Sequence, residues 1–94
     1  MPTYIVLGRL TPQAKRSPAE ARKSREQGWG EFQKLGIKIT PYMTVGPYDL
    51  VNVVESPTEE LMMRFLVSAG ERGNIETTTM RAFPLAEWEK LRGG

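Results

Sequence analysis

Asp49 is the side chain in this sequence best suited to acid–base chemistry, and it directly follows the turn Gly46-Pro47-Tyr48. A carboxylate that lines a cavity can act as a base or bind a polar group of a ligand. An aspartate beside a turn also has an ordinary structural role, because it commonly accepts hydrogen bonds from backbone amides. Asp49 is therefore the best catalytic candidate, and the structural role is the stronger alternative.

Six further polar side chains are candidate ligand contacts. Tyrosine hydroxyls and arginine guanidinium groups can bind a polar or anionic ligand, although such tyrosines usually fill a core edge and such arginines usually form weak surface ion pairs. Asn52 lies within an apolar strand, so it needs hydrogen-bond partners when buried, either from a ligand or at the ladder position opposite Pro41. Together with Asp49, the candidate ligand-binding residues are Tyr48, Tyr42, Tyr4, Asn52, Arg9 and Arg81.

The composition excludes several kinds of catalytic centre. The 94 residues include no histidine and no cysteine, so neither a Ser-His-Asp nor a Cys-His nucleophile can be assembled, and disulfides are excluded. Histidine is also the commonest ligand of haem and transition metals, and the carboxylates lack the spacing of a calcium-binding loop. We therefore predict no metal site and no cofactor.

Length and composition predict one soluble globular domain over residues 1–94, with 26% charged and 39% hydrophobic residues. No apolar run is long enough to cross a bilayer and no basic leader precedes the first strand, so we predict a cytoplasmic protein with no membrane contact. The net charge is +2, and residues 15–25 are basic. This segment contains no aromatic residue for base stacking, so a solvated helix face is favoured over nucleic-acid binding.

Hydrophobic periodicity predicts the element order β-α-β-β-α-β followed by a short C-terminal helix. Strands are expected over residues 3–10, 37–45 and 74–83, with a further strand from residue 50. Helices are expected after Ser17 and after Ser56, each serine acting as an N-cap with a glutamate three residues later. The first helix is expected to end near Leu35 and to bury four residues, which are Ala21, Gly28, Phe32 and Leu35.

The second and third strands are predicted to form a hairpin. Gly46 at the first central position of a two-residue loop supplies the positive φ that the turn requires. This loop sets a register in which Lys38 lies opposite Glu55. Pro41 has no N–H to donate to a ladder, so its strand is expected at an edge of the sheet.

Two of the predicted strands carry apolar side chains on both faces. Val51 and Val53 lie on the face opposite to Leu50. In strand 3–10, both the odd-numbered and the even-numbered side chains are apolar, so the sequence leaves open which of the two sets faces the helices. Two helices can cover only one face of a four-stranded sheet. Leaving four such side chains in water forgoes roughly 6–12 kcal/mol of transfer free energy. A self-complementary homodimer, or a higher homo-oligomer, through the open sheet face is the simplest solution.

Three segments resemble the GYD domain family, which is named for a Gly-x-Tyr-Asp turn. They are MPTYIVLGRLT at the start, GPYDLVNVVESP in the centre and GNIETTTMRAF with LAEWEKL near the end. The resemblance covers nearly the whole chain, and Gly46, Tyr48 and Asp49 match the name-giving positions. It implies a ferredoxin-like α+β fold of the dimeric barrel type, in which two sheets pair through their open faces. It implies no assigned activity.

The leading hypothesis is a small homo-oligomeric domain that binds a small organic ligand between paired sheets or serves as an assembly module. The first alternative is a cofactor-free enzyme, of the monooxygenase or isomerase kind, that uses Asp49 and a tyrosine. This alternative depends on fold analogy alone. The second alternative, and the least favoured, is nucleic-acid binding through residues 15–25.

Overall fold

The structure is a computed structural model that describes residues 1–93. The elements, in chain order, are β1 (Thr3–Leu10), α1 (Pro12–Arg16), α2 (Pro18–Lys34), β2 (Lys38–Met43), β3 (Leu50–Glu55), α3 (Glu59–Glu71), β4 (Ile75–Ala82) and α4 (Leu85–Leu91). The strands form an antiparallel sheet in the order β2-β3-β1-β4. This arrangement confirms the predicted ferredoxin-like α+β fold.

One face of the sheet packs against α2 and α3, and this layer contains the core. Phe32 of α2 and Phe65 of α3 meet edge to face with ring centroids 5.2 Å apart, a geometry that the aromatic quadrupole favours. The buried core residues in contact are Val6, Phe32, Ile37, Val54, Met62 and Phe65. Tyr4 packs against this cluster, so the even-numbered side chains of β1 face the helices and the open question of its parity is settled.

The hairpin between β2 and β3 has the predicted register. Lys38 lies opposite Glu55, and β2 is an edge strand that contains Pro41. Gly46 has a φ of 151°, a conformation that residues with a Cβ rarely adopt. The strand is shorter and the loop longer than the predicted two residues, since β2 ends at Met43 and β3 begins at Leu50. Val45 is fully exposed in this loop.

Three details of the predicted helices are wrong. Ser17 lies at the N-cap of α2, but its side chain makes no capping hydrogen bond. Leu35 is 51% exposed and lies at the C-cap, one residue beyond the end of α2 at Lys34. Thr58 rather than Ser56 caps α3, since the Thr58 side chain accepts a hydrogen bond from the Leu61 amide. Ser56 is fully buried and its hydroxyl donates to the Thr58 carbonyl at 2.7 Å, so it shapes the chain before the helix instead of capping it.

The chain has two further short helices, one directly after β1 and one directly after β4. The unpredicted α1 begins after Thr11, whose hydroxyl accepts a hydrogen bond from the Ala14 amide. The predicted C-terminal helix α4 is present, but it buries none of its own residues. Its apolar side chains Leu85, Trp88 and Leu91 are all at least 48% exposed. None of the helices within residues 1–93 is both long and apolar enough to cross a bilayer.

Two glycines of α2 provide a matched test of the packing between α2 and α3. A Cβ at Gly30 would meet no heavy atom within 4 Å beyond its chain neighbours and the adjacent backbone of α2, so Gly30→Ala should raise the free energy of unfolding by about 0.5–1 kcal/mol through helix propensity. A Cβ at Gly28 would lie 2.6 Å from Cζ of Arg72, so Gly28→Ala must displace that guanidinium group. Urea denaturation should therefore show a smaller gain, or a loss, for Gly28→Ala. Equal gains in the two variants would contradict the close contact with Arg72.

Candidate functional site

The central turn is tied to the end of β1 by backbone and side-chain hydrogen bonds. The Asp49 amide donates to the Gly8 carbonyl at 2.8 Å, and Asp49 Oδ2 accepts from the Leu10 amide at 2.8 Å. The Thr44 hydroxyl donates to the Tyr48 carbonyl at 2.6 Å and closes the loop from the other side. The Asp49 carboxylate thus satisfies a backbone donor that the strand ladder leaves free.

Arg9 and Tyr48 extend this arrangement on the outside of the turn. Arg9 Nε donates to the Pro47 carbonyl at 2.8 Å, and its guanidinium carbon lies 4.7 Å from the centroid of the Tyr48 ring. A guanidinium group over an aromatic face is attracted by the ring quadrupole. The two site candidates therefore contact each other and the turn backbone, and they share one end of the sheet with Asp49.

Tyr4 and Arg81 lie opposite each other across β1 and β4, several ladder positions away from Asp49. The Arg81 guanidinium group donates to the carbonyls of Thr3 and Ala82, and its carbon lies 5.4 Å from the Tyr4 ring centroid and 4.4 Å from that of Phe83. The guanidinium group is therefore held by backbone oxygens and by two aromatic rings. The structure separates this pair from the cluster around Asp49.

Tyr42 lies on the open face of the sheet and is 56% exposed. The register places it opposite Val51, which is opposite Leu7 of β1. In the next row of the same face, Val53 lies between Thr40 and Ile5. The open face is therefore an apolar surface over β1 and β3, and Tyr42 lies on the edge strand beside it.

Asn52 lies on the other face of the sheet, beneath the helices. It is 5% exposed and pairs with Pro41 in β2, as the predicted register requires. On its other side it pairs with Val6 in β1. Its Oδ1 has no hydrogen-bond partner within the described residues. Asn52 also lines a cavity of about 80 Å³ between the helices and the sheet. The structure thus separates Asn52 from both the Asp49 cluster and the open face.

Sequence reasoning missed the residues that surround this cavity from the helix side. Arg25 and Trp29 of α2 and Arg72 at the end of α3 all line it. The sequence offered one signal, because Gly28 was predicted to be a buried residue of the first helix, and the Arg72 guanidinium group occupies the space that a Cβ there would need. No sequence pattern links Arg72 to α2, since the contact joins residues far apart in the chain.

Within the part of the chain that the structure describes, the predicted site residues do not lie together at one centre. Asp49, Tyr48 and Arg9 share one end of the sheet, Tyr4 and Arg81 form a second pair, and Tyr42 and Asn52 lie on opposite faces. Within residues 1–93, no three carboxylates are close enough together to hold a metal ion. The basic residues of segment 15–25 are exposed except for Arg25, whose guanidinium carbon lies 5.3 Å from the Trp29 ring centroid.

The model of the GYD domain matches residues 4–91 of this chain. Among curated proteins, the chain is similar to one from Thermus thermophilus named "Glutamine synthetase and cystathionine beta-lyase binding protein". The two are 32% identical over 89 residues, which are 93% of this chain and 94% of that protein. The similarity therefore extends over nearly the full length of both chains.

Two crystal structures share the fold. A protein from Thermus thermophilus, TTHA0845, superposes with a TM-score of 0.60 at 26% identity, over 89% of this chain and 95% of that chain. The protein FFRP-DM1 superposes with a TM-score of 0.59 at 23% identity, over 88% of this chain and all of that chain. Similarity at these levels supports the topology described above.

The hydrogen bond from the Leu10 amide gives Asp49 a measurable structural role. Asp49→Ala should lower the free energy of unfolding by about 1–3 kcal/mol, because it leaves a partly buried donor unpaired. Asp49→Asn keeps an acceptor oxygen at the same place and should lose less. Urea denaturation at one fixed protein concentration measures both values. An alanine variant as stable as the wild type would show that this hydrogen bond does not hold the turn.

Proposed function

This chain belongs to the GYD domain family, and we propose that it is a homo-oligomeric assembly module that binds other proteins. The observation that carries the proposal is the apolar sheet face that the helices leave uncovered. Ile5, Leu7, Val51 and Val53 form two adjacent rows across the central strands and are only half-buried in the single chain. A two-fold interface covers the same patch on both copies at once, so it removes this apolar face from water without a second kind of partner.

The proposed interface also includes exposed apolar residues of both edge strands. Tyr42 on β2 and Met80 on β4 continue the two apolar rows and are 56% and 46% exposed. Aromatic residues and methionine are enriched at protein interfaces. An interface across all four strands would be centred on aliphatic side chains and bordered by polar residues such as Thr40 and Thr78.

The C-terminal helix supports the same proposal. Helix α4 follows β4 directly, and its apolar stripe of Leu85, Trp88 and Leu91 stays exposed in the single chain. Phe83 and Trp88 contact each other with ring centroids 6.0 Å apart and are both exposed. We infer that a second copy of the chain covers this stripe as well as the open face of the sheet.

Binding to other proteins is supported by the relative from Thermus thermophilus, whose printed name describes binding to glutamine synthetase and cystathionine beta-lyase. We infer that the present chain also contacts an enzyme of amino-acid metabolism. A paired assembly presents its helical outer surface twice, which allows bivalent contact with a symmetric enzyme oligomer and so raises the effective affinity.

A small organic ligand between the paired sheets stays a prediction. The cofactor-free enzyme is less favoured, since the Asp49 carboxylate already accepts a hydrogen bond from the Leu10 amide and the Tyr48 ring is covered by Arg9. Cytoplasmic location also stays a prediction.

A charge placed on the open face should break the oligomer. Val53→Lys puts an ammonium group at the centre of the proposed interface, where its desolvation is costly, so light scattering after size exclusion should give the mass of one chain. Val67→Lys makes the same change on α3, where the valine is 55% exposed, and should leave the wild-type mass unchanged. A wild-type protein with the mass of a single chain, or a Val53→Lys variant of wild-type mass, would contradict the proposal.

The protein-binding part of the proposal has a separate test. Biolayer interferometry with the purified chain should detect glutamine synthetase or cystathionine beta-lyase of its own organism, with serum albumin as the control. Val53→Lys should bind with lower apparent affinity than the wild-type chain, because a single chain loses the bivalent contact. Absence of binding to both enzymes would overturn the inference from the relative and leave the oligomer unaffected.

A further inference from the structure

The cavity between the sheet and helices α2 and α3 is mostly apolar. Its walls come from both layers, with Val6 and Leu50 below and Phe32, Phe65 and Leu66 above. Its volume of about 80 Å³ exceeds the roughly 30 Å³ that one water occupies in the liquid. A close-packed interior rarely leaves this much space, so the space is available for a small organic molecule.

Asn52 gives this cavity a polar floor. It is the only side chain among the cavity residues of β1 and β3 that can form strong hydrogen bonds, and it is 5% exposed. Its Oδ1 accepts no hydrogen bond within residues 1–93. Leaving a buried acceptor unpaired costs about 1–3 kcal/mol, and a leucine of similar volume would avoid this cost. A ligand that donates a hydrogen bond to Asn52 would recover it.

The helix side of the cavity is positively charged. Arg25 and Arg72 both line it, and no aspartate or glutamate does. Arg25 Nε is buried without a hydrogen-bond partner in the described chain. Arg72 donates to the Ser24 carbonyl and lies 3.7 Å from an exposed carboxylate of Glu31, a pair that solvent weakens. The cavity therefore favours an anionic group near its arginines.

The cavity also adjoins a polar surface hollow. The hollow has a volume of about 260 Å³. It shares Ala21, Ser24, Arg72 and Asn74 with the cavity, while Gln13, Ser17 and Glu20 complete it. Gly28 leaves the space in which the Arg72 guanidinium group lies between hollow and cavity. A ligand can therefore place an apolar body inside while its charged end lies beside the arginine near water.

We propose that this cavity binds a small organic carboxylate whose apolar body carries a hydroxyl group that donates to Asn52. The hydroxyl pairs with the free Oδ1, the hydrocarbon chain replaces water against the apolar walls, and the carboxylate lies beside Arg25 and Arg72. The site is on the helix side of the sheet, away from the open face. Its failure would therefore leave the proposed oligomer unaffected.

Three probes of similar length separate these contributions: δ-hydroxyvalerate, valerate and n-pentanol. Trp29 lines the cavity, and Trp88 is the only other tryptophan, so a Trp88→Phe background makes intrinsic fluorescence report on Trp29. The hydroxy acid should bind about threefold to tenfold more tightly than valerate, which is the usual range for one net hydrogen bond. Pentanol, which lacks the carboxylate, should bind more weakly than the hydroxy acid. Heteronuclear NMR should show the Asn52 side-chain amide shifting with the hydroxy acid.

Two variants test which side chain contacts the hydroxyl group and which contacts the carboxylate of the ligand. Asn52→Leu should reduce δ-hydroxyvalerate to the affinity of valerate, and Arg25→Gln should weaken both acids without weakening pentanol. Thermal melts establish that each variant is folded, and the Asn52 amide shift in the otherwise unchanged protein provides a test that needs no variant at that position. The proposal is overturned if neither fluorescence nor the amide responds to δ-hydroxyvalerate, or if Asn52→Leu binds it as well as the parent does.

Discussion

The arrangement of this chain depends on one constraint: its sheet has two apolar faces, and the helices cover only one. Beneath α2 and α3, Val54 is fully buried and Val6 is 3% exposed. On the other face, Ile5 and Val53 lie side by side and are only half-buried within the described chain. The free energy of burying apolar surface is the main force that favours folding, so an uncovered apolar face of this extent favours association. Helix α4 adds a second uncovered apolar surface, because it buries none of its own residues.

The family's central turn has a structural explanation that requires no catalysis. Gly46 allows the loop conformation. The Asp49 carboxylate is hydrogen-bonded to the end of β1, and the Tyr48 carbonyl is hydrogen-bonded to Thr44, the residue after β2. These bonds fix the register of the β2–β3 hairpin against β1, and that register decides which valines of β3 face the helices. The turn therefore contributes to the open face indirectly, since a slip of one residue would exchange the buried and the exposed sets.

Most of the fold could be predicted from local patterns, and the errors occur where a tertiary contact decides the outcome. The hairpin register could be predicted although the loop is longer than expected, because side-chain alternation along the two strands is a local property. Ser56 and Thr58 are both common N-cap types, and the burial of Ser56, which the sequence does not reveal, distinguishes them. The parity of β1 could not be assigned, since both of its faces are apolar. The cavity beside Asn52 could not be predicted for a related reason. Its walls come from segments that are far apart in the sequence, and the Arg72 guanidinium group occupies the space that a Cβ at residue 28 would need.

The most direct measurement is an isotope-filtered NOE experiment on a mixture of labelled and unlabelled protein, which detects only contacts between two copies. The two-fold pairing proposed for the open face requires intermolecular NOEs at the methyl groups of Ile5, Leu7, Val51 and Val53. Intermolecular contacts confined to the helices, or none at all at concentrations where the protein is fully folded, would show that this face stays uncovered and would contradict the account.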